Sequence, residues 1–161
     1  MAGKFDIHRV VADLNSGKQP KWIREHMRIY QESGGKEGHF YDASASTPGA
    51  APIPTLLLTT VGHKSGQKRT TPLLYGTSGE DFIIIGSKGG SDTHTAWYFN
   101  LVANPDAEIQ VATEHYKVRA RMAEGAERAK LWDYILTVWP NFAEYQSRTS
   151  REIPVWILKK Q

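Results

Sequence analysis

Two short segments combine the residue types that hold an anion. The first, Gly62-His63-Lys64-Ser65-Gly66-Gln67-Lys68-Arg69-Thr70-Thr71, joins two apolar runs with three cations, two glycines and three hydroxyls. Glycine lets backbone N–H groups approach an anion closely, and Lys and Arg add charge-assisted hydrogen bonds. Taken alone, such a stretch is more often a solvated hairpin tip than a site. The second segment, Ile85-Gly86-Ser87-Lys88-Gly89-Gly90, follows an apolar run and leads through polar residues towards a helix, whose N-terminus favours negative charge. Two such loops at strand ends of one small sheet can face a single cleft. Together they suit a phosphate-bearing ligand.

Other chemistries lack their residues. His63 stands where a P-loop needs the glycine before Lys64, no G-x-G-x-x-G follows a strand, and no G-x-S-x-G surrounds Ser87. The histidines at 8, 26, 39, 63, 94 and 115 show no metal-ligand spacing, and there is no cysteine, so thiolate nucleophiles, disulfides and cysteine-based metal sites are excluded. The net charge of +3 is too mild to indicate nucleic acid. The cations also sit in turns beside glycines, not along an aromatic-studded strand face. No run approaches the roughly 20 apolar residues of a membrane span, and the N-terminus has no signal-peptide core. A cytoplasmic protein is expected, with peripheral contact to the inner face of a membrane left open.

The elements that must position these loops follow from periodicity. At 161 residues the chain fits one domain, 1–161, with a polar lead-in over 1–19. Residues 20–32 space Trp22, His26 and Ile29 as one helical face, ended by Ser33-Gly34-Gly35, and residues 42–54 read as a surface loop. Thr55–Val61, Thr71–Thr77 and Asp81–Gly86 read as strands, the last two joined by a turn at Ser78-Gly79-Glu80. Glu108–Ala112 and Tyr116–Met122 form a second hairpin around Thr113-Glu114-His115, and Ile153–Leu158 makes a sixth strand. Helices are expected over Thr93–Ala103 and Gly125–Val138, and from Pro140 through Ser147. Antiparallel pairs flanked by helices predict an α+β chain built on a small barrel.

LLLTTVGHKSGQKRTTPLLYG, then IIIGSKGG, AWYFNLVANPDAEIQV and EYQSRTSREIPVWIL resemble, in order, the deazaflavin-dependent nitroreductase family over Tyr30–Leu158. The resemblance implies a split β-barrel of the FMN-binding, flavin-reductase-like class and the 8-hydroxy-5-deazaflavin coenzyme F-420. It implies that Lys64, Ser65, Gly66 and Arg69 hold the coenzyme's phosphate and acidic tail. Thr71 and Pro72 would line the path to the ring. Ser87, Lys88, Gly89 and Gly90 would contact the ring and its ribityl chain, with Trp97 and Asn100 supporting that pocket. Trp97 is equally a core aromatic and Asn100 equally a backbone partner.

The resemblance also places an aromatic cluster, Trp139, Phe142 and Tyr145, over the ring as a substrate pocket. Family members carry tyrosines where Trp139 and Phe142 stand, so only Tyr145 keeps a hydroxyl. A quinone or other flat apolar acceptor therefore fits better than a nitroaromatic. Plain packing of a C-terminal helix explains the cluster equally well. Ser87 and Tyr145 are the candidate catalytic residues. The expected activity is hydride transfer from the reduced coenzyme to a small-molecule acceptor. An FMN-binding split-barrel reductase and a non-enzymatic deazaflavin carrier are the alternatives, and oligomeric state is left open.

Overall fold

A computed structural model describes residues 20–44 and 47–161. The lead-in 1–19, and Ala45 and Ser46 of the surface loop, lie outside the described residues. The elements run α1 (Lys21–Glu32), β1 (Phe40–Tyr41), β2 (Ile53–Val61), β3 (Lys68–Ser78), β4 (Asp81–Ile85) and a short 3-10 turn at Lys88–Gly90. They continue with α2 (Ala96–Ala103), β5 (Asp106–Val111), β6 (Glu114–Met122), α3 (Gly125–Val138), α4 (Phe142–Ser147) and β7 (Val155–Lys160).

The strands hydrogen-bond in the order β1-β2-β3-β4-β7-β6-β5, and a further β2–β5 pairing closes six of them into an antiparallel split barrel. The two-residue β1 is an unexpected seventh strand beside β2. Alternation along each strand sorts side chains between two cores. Leu56, Leu58, Ile84, Ile109, Val118, Trp156 and Leu158 fill the barrel. Ile83, Ile85, Val155 and Ile157 face outward and pack under α3 and α4 with Leu131, Ile135 and Phe142.

Several boundaries differ from the periodicity. β3 begins at Lys68, because Val61↔Lys68 and Thr60↔Arg69 pair, so the connection shrinks to Gly62–Gln67 and Arg69 belongs to a strand. The second hairpin turns at Ala112-Thr113, since Glu114 pairs with Val111 and His115 with Gln110. β7 starts at Val155, after Pro154, which has no N–H for a ladder. α2 starts at Ala96, with Thr95 capping it through a hydroxyl that accepts from the Tyr98 N–H at 3.2 Å. Pro140 and Asn141 form the turn before α4, and do not open the helix itself.

Helices plug both ends of the barrel. α2 sends Trp97 and Leu101 into the core at one end. At the other, the fully buried Tyr30 of α1 donates to the Thr55 carbonyl at 3.0 Å and accepts from the Ala112 N–H at 2.6 Å. No helix among the described residues is long and apolar enough to cross a membrane.

Candidate functional site

β2 and β4 both run towards the barrel end that α2 plugs, so antiparallel pairing delivers the Gly62–Gln67 connection and the segment after Ile85 to that same end. The first connection is closed by Gly62 N–H donating to Gln67 O at 2.7 Å and Gly66 N–H to Gly62 O at 2.9 Å. Gly66 needs its φ of 71° for that tight return. Asn100 ties the loop to α2: its Oδ1 accepts from His63 N–H at 2.9 Å, and its Nδ2 donates to Thr60 Oγ1 at 2.9 Å. Lys64, Ser65 and Arg69 are exposed, and neither cation has a carboxylate partner among the described residues. Lys68 differs, pairing with Glu108 at 3.3 Å.

The second loop folds back through three consecutive left-handed residues, Lys88 (φ 46°), Gly89 (φ 64°) and Gly90 (φ 85°). A Cβ on Gly90 would lie 2.5 Å from the Tyr145 carbonyl, so this loop packs directly against α4. Lys88 Nζ donates to Thr93 Oγ1 at 3.1 Å, and burial, with Arg151 nearby, holds its ammonium below the usual lysine range. Arg151 lies behind the loop. Its guanidinium donates to the carbonyls of Ser91 (2.7 Å), Ser87 (2.9 Å) and Gly86 (3.2 Å). His94 stacks on Tyr98 with centroids 3.8 Å apart, its Nδ1 3.4 Å from the Arg151 guanidinium. Burial and that neighbouring charge lower its pKa.

The other sequence candidates distribute unevenly. Thr71 opposes Leu58 and Pro72 opposes Leu57, so the two occupy opposite faces of β3 and do not line one path together. Pro72 shares the outer face with Leu74, which packs against the core under α4. Trp97 lies inside the barrel, edge-on to Trp156 at 6.4 Å and just under Gly86. Trp139, Phe142 and Tyr145 are gathered, but as buried packing around Ile85, Ile153 and Val155, with Phe142 and Tyr145 edge to face at 6.0 Å. Burial raises the Tyr145 phenol pKa. Trp139 alone of the three lines a cleft of about 650 Å³ between residues 47–54 and the α3–α4 corner, beside the far end of β3.

Sequence reasoning missed Arg151 and His94. Arg151 reaches carbonyls sixty or more residues away in the chain, and a carbonyl has no sequence signature. Thr95-Ala96-Trp97 after a polar run marked the helix start beside His94, but not its stacking.

Residues 22–160 match the model of the F-420H(2)-dependent quinone reductase family. The chain belongs to that family. It is 40% identical over 142 residues to an F-420H(2)-dependent quinone reductase of Mycobacterium tuberculosis, spanning 86% of this chain and 90% of that protein. A solved F-420-H2 dependent reductase superposes with a TM-score of 0.62 at 40% identity, over 66% of this chain and 94% of that one. Another solved structure, described only as a domain-swapped dimer, gives a TM-score of 0.65 at 36% identity, over 86% of this chain and 97% of that one. The chain is accordingly an oxidoreductase whose reductant is F-420H2 and whose activity is quinone reduction.

Proposed function

We propose that this quinone reductase anchors the acidic tail of F-420 on Lys64 and Arg69 and sets the ring against Ser87–Gly90. The observation that carries this reading is the pair of loops at one barrel end. There, two exposed cations without carboxylate partners among the described residues lie in and just after one loop, while the other places consecutive left-handed residues against α4. The residues fit a coenzyme bearing a phosphate and carboxylates, since neither Lys64 nor Arg69 pairs with a carboxylate among the described residues.

When bound, the reduced coenzyme would supply a hydride and one proton, which together convert a quinone to its hydroquinone. The protein holds and orients that exchange and keeps bulk water from the ring. The Ser87 side chain has no hydrogen-bond partner among the described residues, which leaves its hydroxyl to meet the polar edge of the ring. Phe142 and Tyr145, packed on α4 against the second loop, supply an apolar wall suited to a flat acceptor. Tyr145, with its phenol kept neutral by burial, is the proposed proton donor on that side.

A fluorescence titration with oxidised F-420 tests the assignment, run on the wild type and on the Lys64→Ala/Arg69→Ala double variant with FMN as competitor. Weakened F-420 binding in a folded double variant supports it. Unchanged affinity, or displacement by equimolar FMN, refutes it.

A further inference from the structure

Arg151 is a cation without an ion pair: no carboxylate among the described residues lies within bonding distance of its guanidinium. Burial lowers its pKa, and the donors are spent on carbonyls, those of Gly86, Ser87 and Ser91. The backbone that carries this side chain is itself held. Its backbone N–H donates to Thr149 Oγ1 at 3.2 Å, and its carbonyl accepts from Gln146 Nε2 at 2.7 Å. The Thr149 hydroxyl donates in turn to Asp92 at 2.8 Å. A rigid fork is thus presented to three carbonyls of one loop.

Planar trans peptides turn that clamp into an orientation of donors. Within a trans peptide the C=O and the following N–H point in opposite directions. With the Gly86 and Ser87 carbonyls drawn to Arg151, the N–H groups of Ser87 and Lys88 are aimed away from it. Neither of these N–H groups donates to a described residue. A guanidinium on the carbonyl side also polarises each peptide and strengthens its N–H as a donor. The left-handed run from Lys88 to Gly90 keeps the chain from satisfying those donors internally.

We propose that Arg151 is a positioning residue for the reaction. By clamping the Gly86 and Ser87 carbonyls, it presents the Ser87 and Lys88 N–H groups as a paired donor site for an oxygen on the polar edge of the deazaflavin ring. The inference rests on the reading that Ser87–Gly90 faces the ring. Lysine at this position keeps a charge but loses the planar fork, so it cannot hold two adjacent carbonyls in register.

The test uses the full chain in three variants, with Lys64→Ala as a fourth for comparison. Arg151→Lys and Arg151→Ala address the clamp. Ser87→Pro deletes the Ser87 N–H together with the hydroxyl, at a φ of −74° that proline adopts without strain. Affinity for oxidised F-420 is read by fluorescence titration, with kcat and KM for a soluble quinone and the thermal midpoint beside it. Arg151→Lys is expected to weaken coenzyme binding about tenfold with the quinone KM unchanged. Millimolar guanidinium is expected to restore binding in Arg151→Ala and to do nothing for Lys64→Ala. A merely structural arginine would move the thermal midpoint without that selective rescue. Wild-type affinity in Arg151→Lys overturns the clamp, as does a loss in Arg151→Ala that guanidinium leaves untouched. If Ser87→Pro also binds normally, the reading of the loop as the ring site fails with it. If Ser87→Pro binds weakly, only the role of Arg151 fails.

Discussion

Lys64 and Arg69 carry charge that no described carboxylate offsets, while Lys68, on the other face of β3, is paired with Glu108. Three neighbouring cations thus divide into two available for a ligand and one used by the surface. Replacing both Lys64 and Arg69 by Ala is expected to weaken F-420 binding about tenfold or more, the loss growing as ionic strength falls, with the thermal midpoint unchanged. Titration at two salt concentrations checks this. Asn100 works differently, because it is buried and its amide serves Thr60 and His63 together. Asn100→Ala leaves those groups unpaired and is expected to cost about 1–3 kcal/mol in urea unfolding, while loosening the Lys64 loop. His39 and His94 both have pKa values below the free-histidine 6.5, chiefly through burial. The unfolded chain therefore binds more protons below that value, so stability falls as pH drops from 6.5 through the folded pKa values. The thermal midpoint followed against pH should decline over that window, and the decline should flatten in a His39→Gln/His94→Gln variant.

At the scale of elements, the joint between the second loop and α4 is the most constrained. Gly90 sits at φ 85° with the Tyr145 carbonyl 2.5 Å from where a Cβ would be, so any side chain must push the loop off the helix. Gly90→Ala is expected to destabilise the protein by more than about 1 kcal/mol from the left-handed backbone alone. It should also lower kcat for quinone reduction, measured at saturating coenzyme, because the loop and the α4 aromatics move together. The same joint explains why Phe142 and Tyr145 were legible as a cluster while the core they pack on was not. Their spacing on a short helix was visible, but the core that absorbs them needs Ile85 of β4, far away in the chain, beside Ile153 and Val155 just beyond the helix. Strand boundaries failed for a related reason. Lys68 and Arg69 look like loop residues, and only pairing with Val61 and Thr60 draws them into β3.

Over the whole molecule, the closed barrel is what brings the two loops together. β2–β5 pairing leaves no free edge between those strands, and α1 and α2 stopper the ends, so each loop is held against a rigid rim. Leu58, wholly buried at the centre of the barrel, is expected to cost about 2–5 kcal/mol when cut to Ala, read by chemical denaturation.

Local sequence determined a good deal by itself. Apolar runs bounded by turn residues marked all six barrel strands near their positions, glycines and cations marked both loops, and the ordered motifs pointed to the deazaflavin family, because these signals are local or linear. Only the tertiary structure decided which of those residues meet. It put Thr71 and Pro72 on opposite faces, withdrew Trp97 into the barrel, and brought Arg151 to the carbonyls of Gly86 and Ser87. The reason is physical. Faces follow from register between strands, and the clamp follows from backbone carbonyls, neither of which is written in residue identity.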